Sequence, residues 1–245
     1  MLIPTRGIVF HATKYSETSL VCKIFTEKLG LQSYMINGVR KQKGKFALLQ
    51  PLMLLDMIVY NREQKNLQRV KEFQLSHNYS DLPFNTVKSS VGIFLLEVLQ
   101  KCVKAETADE PLFNFIYENL VALDEMKEGA AEFHLHFLTK LSAFLGFEIH
   151  GNYSAENHAY RQAGNFFDLQ HGTFTNTKPT HVEFAEGKTA ENISALIHSQ
   201  KENVLLFNYT ERKKILEVLL SFYKLHIENF TQIRSLKILE EVLKP

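Results

Sequence analysis

The sequence predicts an α+β protein in which a small β-barrel is followed by a mostly helical region that carries a loop-rich insertion. Over residues 6–75, β-branched and aromatic residues alternate with polar ones at a period of two, as is typical of half-buried strands. After Pro83 the apolar residues recur at intervals of three and four, which indicates amphipathic helices. The chain has 245 residues, 45% of them hydrophobic, enough for one large domain or two to three small ones.

Five strands are predicted in the first domain, which we place at residues 1–78. They cover residues 7–13, 20–26, 32–37, 53–60 and 67–74, and turn-like residues separate them. The longest interruption lies between the third strand and the fourth. Five strands with this spacing favour a partly open Greek-key barrel of the OB type, while an SH3-like barrel and a small sandwich remain as alternatives.

Helices are predicted to dominate the second domain, residues 79–245. They cover residues 85–103, a stretch that follows Asp109, and residues 130–145, 190–199, 211–227 and 235–243. Asp109 and Thr210 are the predicted N-caps of the second and fifth helices, because their side chains can accept hydrogen bonds from the first turn. The insertion, residues 150–188, is rich in Asn, His, Gly and Thr and is predicted to contain loops and a small hairpin.

Basic charge is concentrated in the predicted barrel. The first 75 residues hold 12 Lys or Arg against 5 Asp or Glu, whereas the rest of the chain holds 16 against 22. The densest run, residues 38–46, lies between the third and fourth strands and is predicted to form an exposed connection. A basic surface raises the local concentration of polyanions, although a short basic run is often an ordinary solvated loop.

The candidate nucleic-acid contacts come from this barrel. The cations are Arg40, Lys41, Lys43 and Lys45 of the basic run, together with Arg6, Lys14, Lys23 and Arg69. Tyr15, Tyr34 and Phe46 are candidates for stacking on bases, although Tyr34 and Phe46 also fit a barrel core. Cations along a groove, combined with aromatic stacking surfaces, are the general design for sequence-tolerant single-strand binding.

Signatures of catalysis are missing from the sequence. It contains no GxxxxGK[ST], GxGxxG, GxSxG or HExxH segment, so we predict that the protein is not an enzyme. A nuclease that uses carboxylates and a divalent metal remains as the enzymatic alternative. The sequence has neither a run of roughly 18 apolar residues nor a signal-peptide pattern, which predicts a cytoplasmic location without membrane association.

Cysteines and histidines do not suggest a disulfide, a metal or a cofactor. Cys22 and Cys102 each lie in an apolar run, which favours buried, reduced thiols. His134 and His136 are two residues apart on a predicted helix and therefore point to different faces, and other histidines are scattered through the insertion. Because a metal needs convergent ligands, no metal site is predicted.

Segments along the whole chain follow the pattern of a known family. The N-terminal segments are residues 7–9, 15–21, 25–30, 38–41 and 48–52. The later ones are residues 133–147, 167–169 with Gly172 and Phe174, and 233–235. Together they resemble the RecO family of bacterial recombination mediators, and this resemblance implies an OB domain, a helical body and a small inserted subdomain. Many members of the family hold zinc with four cysteines in the insertion, but residues 151–187 contain none, so zinc is not carried over.

The resemblance also implies a function in DNA repair and homologous recombination without bond-breaking chemistry. The expected activities are binding of single- and double-stranded DNA, annealing of complementary strands and, with RecR, loading of RecA onto DNA coated by single-strand binding protein. The acidic C-terminal tail of that protein would bind the helical body, at a rim supplied either by Lys213 and Lys214 or by Arg234 and Lys237. Such a protein would be associated with the bacterial nucleoid. The alternative is a protein adaptor whose barrel binds a partner subunit rather than DNA.

Overall fold

The computed structural model describes residues 1–39, 43–62, 65–104, 107–154, 163–199 and 207–245. Arg40 and Lys41 lie outside the described residues, and the side chain of Lys43 is likewise not described. The chain divides into two compact units, Met1–Glu125 and Met126–Pro245, here called the barrel unit and the helical unit. The predicted domain limit at residues 78 and 79 stays a prediction.

Five strands form a closed barrel in the barrel unit. They are β1 (Leu2–Lys14), β2 (Leu20–Thr26), β3 (Gly30–Ile36), β4 (Leu54–Tyr60) and β5 (Leu67–Leu75). Their order around the barrel is β1-β2-β3-β5-β4, and every pairing is antiparallel except that of β3 with β5. This arrangement confirms the predicted N-terminal five-stranded barrel and its OB type.

The barrel interior follows the period-two pattern of the sequence. Val9, Cys22, Tyr34 and Val59 are completely buried and belong to one hydrophobic cluster. The barrel walls approach closely at Gly7, where an added Cβ would lie 2.8 Å from Ile24 Cγ2. A larger residue at this position would therefore displace core side chains.

The basic run was predicted as an exposed connection, and this is wrong in part. Residues 43–47 form a short helix, α1 (Lys43–Ala47), between β3 and β4. Phe46 and Leu48 pack against the barrel core, which explains why a five-residue helix is held at this place. Lys45 remains exposed on α1.

Two helices complete the barrel unit. Asn85 caps α2 (Thr86–Cys102) by accepting hydrogen bonds from the backbone N–H groups of its first turn. Asp109 is confirmed as the cap of α3 (Glu110–Glu125), because its Oδ1 accepts a 3.0 Å hydrogen bond from Leu112 N. The Phe113 ring of α3 lies 5.8 Å from the Phe25 ring of β2, so α3 covers part of the outer barrel wall.

A buried carboxylate ties the end of α3 to the segment that follows the barrel. Asp124 is 2% exposed and accepts hydrogen bonds from the backbone N–H groups of Ser80, Asp81 and Leu82 at 2.7–3.2 Å. Its backbone carbonyl accepts a 2.7 Å bond from Lys88 Nζ. These bonds satisfy a charge whose burial would otherwise be costly.

The helical unit contains α4 (Phe133–Phe144), α5 (Gly187–His198), α6 (Tyr209–His226) and α7 (Leu236–Val242). Helices α4, α5 and α6 pack against one another around Leu138, Ile193 and Leu219, which are completely buried. Thr210 was predicted to cap α6, and this is wrong. The cap is Asn208, whose side chain accepts from Glu211 N while Glu211 accepts from Asn208 N, a capping box.

The insertion forms two small sheets. Strands β6 (Asn152–Tyr153) and β7 (Ala163–Gly164) pair in parallel, and β8 (Phe166–Asp168), β9 (Thr173–Thr175) and β10 (Phe184–Glu186) form a sheet of order β10-β8-β9. Phe167 and Phe174 are buried on this sheet, and the Phe167 ring lies 5.7 Å from that of Phe222 on α6. Apolar packing therefore anchors the insertion to the helices.

Both cysteines are free thiols, Cys22 buried and Cys102 half-buried, and burial raises the pKa of each to about 12. Within the described ranges, no helix combines the length and the apolar character that a membrane span requires.

Candidate nucleic-acid interface on the barrel

An open groove of about 920 Å³ runs over the outer face of the barrel, across β1, β3, β4 and β5. A second groove of about 520 Å³ adjoins it at the start of β5 and the β4–β5 connection. Met35, Tyr60 and Arg69 line both grooves. Because the two share these residues, we treat them as one surface and call it the barrel groove.

A row of outward-facing side chains crosses the barrel groove from strand to strand. The strand pairings place Met35 opposite Arg69, Arg69 opposite Tyr60, and Tyr60 opposite Leu2. Tyr60 is 37% exposed and Leu2 is 44% exposed. The guanidinium of Arg69 thus lies between the side chains of Met35 and Tyr60. This arrangement puts a cation that can bind a phosphate beside apolar surfaces on which a base can stack.

Positive charge dominates the rim of this groove. Five exposed cations line it, namely Lys45, Arg62, Lys65, Arg69 and Lys71. Lys71 lies 3.4 Å from Glu72 Oε1, and the other four make no ion pair with any described residue. The acidic residues of the lining are Glu27, Asp56 and Glu72. The groove therefore presents a surplus of cations to solvent.

Arg6 was predicted to contact DNA, but the structure gives it a structural part. Its guanidinium donates to Glu27 Oε1 at 2.7 Å and to Asn114 Oδ1 at 2.6 Å, and it lies 4.9 Å from the Tyr117 ring centre. The hydrogen bond with Glu27 raises the pKa of Arg6, and the same bond lowers the pKa of Glu27. The Nε and Nη2 donors of Arg6 therefore fix α3 to β1, while Arg6 also lines the barrel groove, so its contact with DNA stays a prediction.

The three predicted stacking residues lie in different environments. Tyr34 is completely buried in the barrel core and offers no face to a base, so that prediction is wrong. Phe46 is half-buried against the same core. Tyr15 is 64% exposed and follows Lys14 at the end of β1, outside the residues that line the groove. Tyr60, which sequence reasoning missed, lies in the groove instead.

Tyr60 could have been found from the strand period. Asp56, Ile58 and Tyr60 alternate with the buried Met57 and Val59 along β4, so they face outward. The remaining cations are dispersed. Lys23 is exposed on β2 away from the groove, and Lys45 is the described member of the basic run that reaches it.

The pocket that the described residues form beside part of the predicted peptide rim is small. Lys213 and Lys214 lie on α6, Lys237 lies on α7, and Arg234 precedes it. A pocket between α6 and α7 has only about 20 Å³, roughly the room for one water molecule. Lys213 Nζ lies 3.6 Å from Glu240 Oε1 across this pocket.

Three side chains of the insertion converge in a way that the sequence did not predict. Asp168, His171 and His181 place one potential metal-ligating atom each within 4.8 Å of one another. His171 follows Asp168 by three residues, whereas His181 approaches from the segment before β10. Only the fold brings the two histidines together, so their separation in sequence concealed the cluster.

Comparisons with known proteins agree with this architecture. Residues 1–79 match the family model described as Recombination protein O N terminal, and residues 84–237 match Recombination protein O C terminal. The chain is 33% identical over 247 residues to the DNA repair protein RecO of Bacteroides fragilis, with 99% of both chains covered. It is 32% identical over 246 residues to the protein of that name from Phocaeicola vulgatus and 30% identical over 246 residues to that of Flavobacterium johnsoniae, again with 99% of each chain covered.

Proposed function

The chain belongs to the RecO family of DNA repair and recombination proteins, and on that basis we propose that its barrel binds DNA and promotes annealing of complementary strands. The observation that supports this proposal is the barrel groove, with five exposed cations around the outward row of Met35, Arg69 and Tyr60. Lys14 and Lys23, together with Arg40, Lys41 and Lys43 of the basic run, remain further proposed contacts.

Binding would depend on phosphates rather than on base edges. The groove cations are long, flexible side chains at an open surface, which suits contact with a backbone of variable path. Tyr60 and Met35 supply apolar faces on which bases of any sequence can stack. We therefore expect single-stranded DNA to use both kinds of contact, whereas double-stranded DNA, whose bases are already stacked, would use the cations alone.

Annealing follows from the same electrostatics. Two complementary strands repel each other through their phosphates, and cations that neutralise part of this charge lower the repulsion that opposes encounter. Because no base edge is read, the Watson–Crick edges stay available for pairing. The protein would thus act as a mediator that brings strands together without breaking a bond.

The recombination role adds protein partners. We propose that the protein acts with RecR to load RecA onto DNA coated by single-strand binding protein, and that its helical unit binds the acidic tail of that protein. Lys214 of α6 and Lys237 of α7 are exposed there, and Ile238, which follows Lys237, is 57% exposed. Cations next to an apolar side chain suit a peptide that is both acidic and hydrophobic. Lys213 is partly neutralised by Glu240, and Arg234 remains a candidate.

Titration with a fluorescent peptide of the tail sequence tests this partner. The double variant Lys214→Glu, Lys237→Glu should bind at least tenfold more weakly than the wild type at low salt. The variant Lys188→Glu, an exposed lysine of α5, serves as the control. Equal affinity in the wild type and the double variant would rule out this rim.

Strand annealing tests the main proposal. Two labelled complementary strands are mixed with the protein, with and without single-strand binding protein, over a range of salt concentrations. We expect faster annealing that declines as salt increases. A protein adaptor would leave the rate at its spontaneous value, and a metal-dependent nuclease would shorten the labelled strands.

A further inference from the structure

Three side chains of the small sheet β10-β8-β9 form a cluster with the composition of a metal site. His171 Nδ1 lies 2.9 Å from Asp168 Oδ2, and His181 Nε2 lies 3.3 Å from Asp168 Oδ1. Asp168 ends β8, His171 lies in the turn to β9, and His181 lies before β10. The cluster thus joins parts of the insertion that are 13 positions apart in the sequence.

The distances suit one small ion. Zinc binds imidazole nitrogen and carboxylate oxygen at about 2.0–2.2 Å, so the ligand atoms around a tetrahedral ion lie about 3.3–3.5 Å apart. The two separations involve different oxygens of Asp168, Oδ1 toward His181 and Oδ2 toward His171, so the carboxylate would either bind through both oxygens or rotate to present one. All three ligand atoms lie within 4.8 Å of one another, close enough to share one ion.

A second carboxylate lies behind the cluster. His181 Nδ1 is buried without a hydrogen-bond partner among the described residues, yet it lies 3.5 Å from Glu183 Oε2. Metal-ligating histidines almost always donate their other ring N–H to such a carboxylate, which fixes the tautomer and orients the ring. If His181 rotated slightly to bind a metal through Nε2, its Nδ1–H could donate this hydrogen bond to Glu183.

We propose that Asp168, His171 and His181 bind one divalent transition-metal ion of the Zn²⁺ class, oriented by Glu183. Two imidazoles favour zinc, cobalt, nickel or copper over magnesium or calcium, which prefer oxygen ligands. The His171 side chain is 70% exposed, so the fourth position is open to water. The ion would fasten the β8–β9 turn to the segment before β10. The three ligands belong to the helical unit, and none of them lines the barrel groove.

Calorimetric titration of the full-length protein with ZnCl₂, after treatment with EDTA and dialysis, tests the site. We expect one zinc per chain, and a rise in Tm of about 5–10 °C when free zinc is 100-fold above its Kd. MgCl₂ should give neither effect. The variants His171→Ala and His181→Ala should each lower zinc affinity about tenfold or more, and Glu183→Gln should lower it about tenfold.

Controls keep the proposal falsifiable. The variant His198→Ala removes an exposed histidine at the end of α5 and should bind zinc like the wild type. His171 is the most exposed ligand, so His171→Ala should fold normally, and circular dichroism checks this. An unchanged zinc affinity in a folded His171→Ala variant would overturn the site. The lack of zinc binding by the wild-type protein in the same titration would also overturn it.

Discussion

Removing charge from the barrel groove should flatten the salt dependence of DNA binding. The variant Arg62→Gln, Lys65→Gln, Arg69→Gln takes away three of the five groove cations and keeps polar side chains of similar length. None of the three makes an ion pair with a residue that the structure describes, so the substitutions should cost little stability. The change acts on phosphate contacts and leaves Tyr60 in place.

The magnitude follows from counterion release. With about five phosphate contacts, log affinity for single-stranded DNA should fall with log salt at a slope near −3.5, and with about two contacts the slope should be near −1.4. Between 50 and 200 mM salt the wild type should lose about 130-fold in affinity, whereas the variant should lose about 7-fold. Fluorescence anisotropy of a labelled oligonucleotide at five salt concentrations measures both slopes.

A matched variant separates position from total charge. Lys127→Gln, Lys188→Gln, Lys224→Gln also removes three positive charges, from exposed lysines of the helical unit. Its slope should stay near the wild-type value. If the groove variant kept the wild-type slope, or if both triple variants flattened it equally, assignment of DNA binding to the barrel groove would be refuted.

Four further predictions concern three single residues. Tyr60→Ala should weaken single-strand binding about 5- to 150-fold, the range for loss of one stacked base, while Tyr60→Phe should bind normally; equal affinities would exclude stacking. Asp124→Asn replaces the Oδ2 acceptor of the Ser80 N–H and hydroxyl by an NH₂ donor and removes the charge, and it should lower the free energy of unfolding by about 2–3 kcal/mol in denaturant titration. Burial opposes ionisation of Asp124, but the hydrogen bonds from the backbone N–H groups of Leu82, Ser80 and Asp81 outweigh it and lower the pKa of this carboxyl. Its contribution to the free energy of unfolding is therefore present above about pH 4 and declines as the pH falls. A wild-type stability that stays flat below about pH 4 would contradict this. Gly172→Ala should cost about 1–2 kcal/mol, because Gly172 has a φ of +63° and its Cβ would lie 3.1 Å from Glu148 O; an unchanged Tm would contradict the strain.

Local patterns determined how much of the fold could be predicted. The limits of β2 were predicted to the residue, because alternation and turn residues are both properties of neighbouring positions. The parallel pairing of β3 with β5 closes the barrel through contacts distant in sequence, and no local pattern contains it. The cap of α6 was misplaced by two residues because Asn208 and Thr210 are both suitable caps. Only the reciprocal bond with Glu211 distinguishes them.

The candidate site shows the same limit. Sequence composition located the positive charge in the barrel but could not tell which cations are committed to the fold. Arg6 and Arg69 are both arginines of the basic first 75 residues. Arg6, however, is bonded to Glu27, which lies between β2 and β3, and to Asn114 of α3, and only the folded structure brings these residues together. The cluster of Asp168, His171 and His181 was overlooked for the same reason.

The division of basic residues between fold and surface bears on the proposed binding of DNA by the first 75 residues. Arg6 is paired with Glu27 and stacked on α3, so much of its charge is used within the fold. Lys45, Arg62, Lys65 and Arg69 instead lie at an open surface, where binding of an anion would offset their mutual repulsion. A barrel selected for stability alone would pair or disperse such charges. Their convergence around Tyr60 is therefore the feature that most strongly favours a polyanion with stackable bases over an acidic protein surface.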